Sequence, residues 1–293
     1  MINLKRIDGV VAAYAAQQAE PEQARLRFFR ALWAEQHDIA RDLAPAYRVP
    51  PAEAVERLAG EKRPILRVYP ARIRIDQLVA ATRRMAAVLC AHGGFDETVI
   101  AELSTLDWKL PCMANAAAAG SDPALYLQDA LEALGQAGLS EQAAPAAASA
   151  LSLALRGLLD PVADDIMAAR DAAGQAEAHP VDCPVCGGDA TLAVVGAGSG
   201  TAGGQRTLFC AQCGANWKFE RIRCARCGTR NQGHLHYYHV GDDDAHRIHT
   251  CDECGGYIRT VFQKDLLSPI VPDVENAVMA TLDLVARRQE LGA

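Results

Sequence analysis

The chain has 293 residues, half of them hydrophobic but only 5 % aromatic, and carries a net charge of -7. That acidity argues against a surface for nucleic acid or anionic membrane spread over the whole chain, and the alanine-rich, aromatic-poor first half suits packed helices rather than a sandwich of sheets. The length allows two domains or slightly more.

At the start, Lys5 and Arg6 precede mildly apolar residues in the manner of an export signal, but Asp8, Gly9, Gln17 and Gln18 interrupt the run, and no export signal or membrane anchor is expected. Residues 21–43 place Leu26, Phe29, Leu32, Trp33 and Ile39 near helical spacing, giving an amphipathic helix with a charged outer face. Pro45, Pro50 and Pro51 break it, and a short helix resumes over 52–59. The stretch RPILRVYPARIR from Arg63 alternates apolar and basic residues and is expected to lie extended against the helices. Asp76 starts a helix carrying Leu78, Val79, Met85, Val88 and Leu89 to the Gly93-Gly94 stop. Further helices are expected over 96–106, 122–134, 142–159 and 161–173, completing an all-helical domain over 1–175. The apolar run 143–159 contains Pro145 and Arg156 and falls short of a membrane span. Cys90 and Cys112 lie far from any partner pair and read as small buried hydrophobes, and His37 and His92 as structural histidines. No catalytic set is visible here.

A polar linker over 174–182 leads to the stretch that holds eight of the ten cysteines. They form four C-x-x-C pairs, Cys183/Cys186, Cys210/Cys213, Cys224/Cys227 and Cys251/Cys254, and adding 41 to each member of the first two pairs gives the last two. A fixed period marks a duplicated unit. A unit of about 40 residues buries too little apolar surface to hold itself together, and a cross-link or metal supplies what is missing. A glycine follows each pair, at Gly187, Gly214, Gly228 and Gly255, so the chain can turn back and aim amides at the sulfurs. Structural metal is therefore favoured over disulfides, which a reducing compartment opposes, and over redox dithiols, which are usually single. Because the unit that duplicated should already have been complete, one ion is assigned to Cys183, Cys186, Cys210 and Cys213 and a second to Cys224, Cys227, Cys251 and Cys254.

Five histidines, His234, His236, His239, His246 and His249, lie in the second repeat, and their equivalents 41 residues earlier cannot act as imidazole ligands, so they are not expected to bind metal. Strands are expected over 191–195, 206–209, 217–222, 235–240, 247–250 and 257–262. The glycine-rich loop 196–204 of the first repeat is matched in the second by Asp242, Asp243 and Asp244. Sheets with cysteine knuckles at their turns describe zinc-ribbon or rubredoxin-like modules, here over 176–222 and 223–268. A last helix capped by Asp273 and carrying Val274, Val278, Leu282 and Val285 is expected to pack back within 269–293. The fold class is thus α with a small β part: a helical domain, two tandem metal modules and a C-terminal helix.

The stretches CPVCGG from Cys183, FCAQCGANW from Phe209, RIRCARC from Arg221, LHYYHV from Leu235 and CDECGGYIRT from Cys251 resemble the formate dehydrogenase accessory protein FdhE family. The resemblance implies a cytoplasmic, non-catalytic assembly factor with two rubredoxin-like modules. It would act on the catalytic subunit of respiratory formate dehydrogenase, a molybdenum or tungsten enzyme folded before twin-arginine export. The resemblance favours iron, with zinc the alternative, and four thiolates accept either. Two other functions compete. A nucleic-acid-binding ribbon needs a basic face, whereas residues 183–262 hold eight Lys or Arg against seven Asp or Glu. A rubredoxin-like electron carrier needs iron. Trp217, Tyr237, Tyr238 and Tyr257 are either anchors for a partner or the cores of the ribbons.

Overall fold

The structure, a computed structural model, describes all residues except 17, 176–178, 199–203, 240, 242, 267 and 284–293. Its helical region is built on α8 (Ala143–Ala172), whose Ala and Leu residues are buried around most of its circumference. The helices α2 (Glu20–Leu43) and α4 (Ile75–His92) pack along it, with α3 (Ala52–Gly60), α5 (Glu97–Thr105) and α7 (Pro123–Gly135) around them, and the short α6 (Lys109–Met113) packs between α4 and α7. Pro161 was expected to divide this segment into two helices, but α8 continues through it. A proline inside a helix costs about 3 kcal/mol, which burial of the residues on either side outweighs. Gly157, at the position whose carbonyl loses its donor to Pro161, also permits close approach of α2: a Cβ there would stand 3.0 Å from Ile39 Cγ2. By length and mean hydropathy α8 is apolar enough to cross a membrane, yet 72 % of its most apolar stretch is buried inside the protein.

An N-terminal helix, α1 (Leu4–Ala15), occupies the segment that reads as a broken signal. The Asn3 side chain caps it by accepting from the Arg6 amide at 3.1 Å, and Ile7 and Val10 are buried against α2 and the C-terminal α9 (Pro272–Val278). The α9 helix starts at Pro272, with Val271 rather than Asp273 at its N-cap; Val274 is buried and Val285 lies outside the described residues. The segment after Arg63 is a short 3-10 turn, Ile65–Arg67, rather than an extended run. Its amides reach across to the first cysteine knuckle, Ile65 donating to the Pro184 carbonyl and Leu66 to the Val185 carbonyl, both at 3.0 Å.

Six strands follow: β1 (Leu192–Val195), β2 (Arg206–Phe209), β3 (Asn216–Phe219), β4 (Leu235–His239), β5 (His246–Cys251) and β6 (Tyr257–Phe262). They form one sheet in the order β3-β2-β1-β6-β5-β4, in which the repeats are joined by parallel pairing of β1 with β6 and are otherwise antiparallel. The duplication is visible in the register: Arg206 opposes Phe219 in the first repeat and Arg247 opposes Thr260 in the second, each partner displaced by 41. The first strands have diverged, since Arg206 opposes Val195 but Arg247 opposes His239. Strand β3 ends at Phe219 instead of continuing to Ile222 because Nη1 of buried Arg206 gathers the carbonyls of Glu220, Arg221 and Arg223, at 3.4, 3.5 and 2.8 Å, and bends the chain.

A polar cluster, with His246 and Glu275 buried at its centre, clasps α1, α9 and the sheet. His246 Nε2 lies 3.0 Å from Glu275 Oε2, its Nδ1 lies 2.8 Å from Asp243 Oδ2, and the Tyr14 hydroxyl donates to Glu275 at 2.7 Å. Burial opposes charge on the imidazole, but the bonds to Glu275 and Asp243 outweigh it and hold the His246 pKa above the ordinary 6.5. A raised histidine pKa stabilises the fold fully below the unfolded-state value, and that stabilisation is lost as pH rises through the folded-state value. Urea unfolding at a series of pH values is expected to show stability falling on the alkaline side of about pH 6.5. The His246→Gln variant should lose about 1.5–3 kcal/mol near pH 6 and show a shallower slope above it; an unchanged slope would mean that the clasp does not titrate there.

Candidate metal centres

Each C-x-x-C pair is a turn of the same construction. In the first, the Gly187 amide donates to the Cys183 carbonyl at 2.9 Å and the Cys183 amide donates to the Gly188 carbonyl at 2.9 Å. The same two bonds recur around Cys210, Cys224 and Cys251. The residue that closes the first bond must take a left-handed backbone, and Gly187, Gly214, Gly228 and Gly255 do so with φ between 65° and 85°. The turns thereby free amides to face sulfur: Gly188 donates to Cys186 Sγ at 3.5 Å and Arg226 to Cys224 Sγ at 3.3 Å.

Two groups of four sulfurs result, Cys183, Cys186, Cys210 and Cys213 in one and Cys224, Cys227, Cys251 and Cys254 in the other, with all sulfurs of a group within 4.8 Å of one another. The separations 183–213 and 186–210 are 3.5 and 3.6 Å, and 224–254 and 227–251 are both 3.8 Å. A tetrahedral ion with metal–sulfur bonds of roughly 2.3 Å needs edges of about 3.8 Å. No disulfide links any of these cysteines. Both groups are therefore able to bind a metal ion of the kind that takes four thiolates. Burial pushes the thiols of Cys183 and Cys213 well up, so four buried thiolates need a cation among them.

The two clusters differ in surroundings. All four sulfur residues of the first are buried, whereas Cys227 and Cys254 of the second are exposed. The first lies against α8, where Arg156 and Arg170 face it. Arg156, 5 % exposed, pairs with Asp160 and reaches Asp273 Oδ1 at 3.4 Å, and a Cβ added to Gly214 would meet Arg156 Nη2 at 2.5 Å. A divalent ion with four thiolates carries a net charge of about -2, which these arginines offset. Asp160 also accepts from the Ile2 amide at 2.7 Å, so one ionic junction ties together the N-terminus, α8, α9 and the first knuckle pair.

The sequence profile of the FdhE central domain matches residues 182–221, the first cluster and its strands. The chain is 33 % identical over 108 residues to the FdhE homologue of Aquifex aeolicus, covering 36 % of this chain and 37 % of that protein, and 33 % identical over 105 residues to the homologue of Stutzerimonas stutzeri, covering 35 % and 32 %. Through this region the chain is related to FdhE. The match spans only about a third of the length of these FdhE relatives. The crystal structure of the FdhE protein from Pseudomonas aeruginosa superimposes with a TM-score of 0.56 at 19 % identity, over 97 % of this chain and 89 % of that one, so the overall fold, helices followed by a small sheet, is shared with that FdhE structure.

The five histidines of the second repeat stand outside both sulfur groups. His236 meets Asp252 at 2.7 Å, His234 meets Glu253 at 3.5 Å, and His246 belongs to the clasp. Trp217 is not an exposed anchor. It is buried, with its indole N–H donating to the Pro180 carbonyl at 2.9 Å, whereas Tyr237 and Tyr238 are exposed and Tyr257 is half-buried. The ionic junction has no motif of its own. Its signal in the sequence is a single arginine-aspartate pair, Arg156 and Asp160, four residues apart within the long, largely buried α8.

Proposed function

We propose that this chain is an assembly factor for respiratory formate dehydrogenase, working by binding the immature catalytic subunit and turning over no substrate itself. The observation that carries this is the match of residues 182–221, which hold the first cysteine cluster, to the FdhE central domain. In this reading the helical unit is 1–175, the metal modules are 176–222 and 223–268, and 269–293 packs back on them. Cys183, Cys186, Cys210 and Cys213 hold one ion and Cys224, Cys227, Cys251 and Cys254 the other. Iron is favoured over zinc by the resemblance to FdhE, and it would add one-electron chemistry to a structural role. Work on a subunit that folds before export places the protein in the cytoplasm, where thiols stay reduced.

The test is co-purification. The tagged, metal-replete chain, expressed with the formate dehydrogenase catalytic subunit, is expected to retain that subunit through washing, and deleting the gene should abolish respiratory formate dehydrogenase activity. Failure to recover the subunit would overturn the binding role. Zinc-loaded protein that fully restores enzyme assembly would reduce the ions to structural elements.

A further inference from the structure

A groove runs across one face of the second repeat, where β4, β5 and β6 meet the segment entering the second cluster. Arg206, Arg221, Arg223 and Arg226, with His236 and His249, contribute its polar lining, and among the described residues no Asp or Glu lines it. It continues past Arg206, Arg221 and His249 to Val195 and Phe262. In a chain of net charge -7 this is a local reversal of sign. The arginines are partly neutralised from outside the groove: Arg223 reaches Glu220 at 3.4 Å and Arg226 reaches Asp189 at 2.9 Å. Arg206 is different. It is 3 % exposed, pairs with no carboxylate among the described residues, and spends its Nη1 on carbonyls while its Nε has no hydrogen-bond partner. Beside it, on the same face of the sheet, His249 Nε2 is also buried without a hydrogen-bond partner. Two unsatisfied polar atoms beneath one groove mark a floor that acceptor oxygens would stabilise.

Apart from Cys224 of the second cluster, which lies close to Arg206, and Thr250, the rest of the lining is apolar. Ile222 is 55 % exposed and Tyr237 60 % exposed, among the most exposed large hydrophobic residues of the described chain, and Leu235, Tyr257 and Ile258 lie between or beneath them. Arg247 covers the other side of the Tyr237 and Phe262 rings, at 5.2 and 4.5 Å from their centroids, and holds them in place. Crossing three strands gives a length of roughly 10–15 Å, room for three or four residues of extended chain. We propose that this groove takes an extended acidic segment with interleaved apolar side chains, belonging to the protein that the chain helps to assemble. This rests on the client reading above for the identity of the partner, but not for its chemistry. A nucleic acid fits less well, because most of the lining is apolar and two of its arginines are already paired with carboxylates, leaving few cations for phosphates.

The test titrates the full, metal-loaded chain into a fluorescein-labelled peptide alternating Glu and Phe, a matching peptide alternating Lys and Phe, and a labelled oligothymidylate, read by anisotropy. The acidic peptide is expected to bind at least about tenfold more tightly than the basic one. Ile222→Asp and Tyr237→Asp should each weaken it by about tenfold or more, with metal content and thermal unfolding unchanged and with Leu110→Asp, on a remote surface, without effect. Equal binding of the two peptides, groove variants that bind like the parent, or tighter binding of the oligothymidylate would overturn the inference. The same variants in the co-purification separate the two readings. Peptide binding that follows this pattern with no dehydrogenase subunit recovered leaves the groove standing and removes the client; a subunit captured equally by parent and groove variants removes the groove alone.

Discussion

Challenge of the metal-loaded protein with a strong chelator is expected to release two ions in two well-separated phases, the second cluster emptying first. The order follows from access. Cys227 and Cys254 are exposed, so a chelator can reach that ion with little opening of the fold. The first cluster has all its sulfur residues buried, lies against α8, and is fastened by the Ile65 and Leu66 amides to the carbonyls of Pro184 and Val185. Exposing it requires the helical region to part from the sheet, and sites that open only through such larger unfolding are protected by correspondingly more free energy. A difference of roughly 3 kcal/mol in opening separates the phases by about 100-fold in rate. Native mass spectrometry during the challenge should show a long-lived species with one ion. Cys254→Ser should leave one ion per chain and a cooperative melt, while Cys213→Ser, which removes a buried ligand, should abolish the melt or lower its midpoint sharply. Release of both ions together, or of the buried one first, would contradict the inequivalence of the sites.

The second large effect is expected at Arg156. Its replacement by Ala leaves Asp160 and Asp273 without their cation in a site where burial already pushes the Asp273 carboxyl up, and it removes a positive charge facing the first cluster. Breaking a buried ion pair from one side typically costs about 3–5 kcal/mol, and that is the loss expected in urea unfolding of Arg156→Ala. Arg156→Met combined with Asp160→Leu should cost less than the sum of the two separate changes, because no charge is then stranded between them. The glycine of the adjoining knuckle reports on the same junction. At Gly214 an alanine would be strained by φ of +85° and would also meet Asp160 Oδ1 at 2.6 Å, whereas at Gly255, with φ of +65°, nothing lies within 4 Å. Gly255→Ala is expected to cost about 1–2 kcal/mol, the left-handed strain alone, and Gly214→Ala distinctly more. Similar losses for the two would show that the junction yields easily, and an Arg156→Ala loss below about 1 kcal/mol would show that it is not a joint between helices and sheet.

Much of the local architecture was legible because it is written at short range. The 41-residue period placed the knuckles and their glycines, and β2 and β6 fall at the residues expected. What misled was also local. Pro161 signals a helix end that packing overrides, and the polar breaks in residues 1–19 hide a helix stabilised by contacts with α2 and α9. The basic stretch after Phe219 reads as more strand until Arg206 is seen to bind its carbonyls.

The amino-acid order alone determined the turns, the grouping of eight thiols by repeat and the helical character of the first half, since each depends on neighbours within a few residues or on an exact internal period. Tertiary structure decided that the two repeats close into one sheet through β1 and β6, that one cluster is enclosed while its copy faces solvent, and that Arg156 of a largely apolar helix meets the knuckle of Cys210 and Cys213. Those features depend on which surfaces come together from distant parts of the chain. Burial and charge pairing across such distances leave no periodic trace in the sequence that carries them.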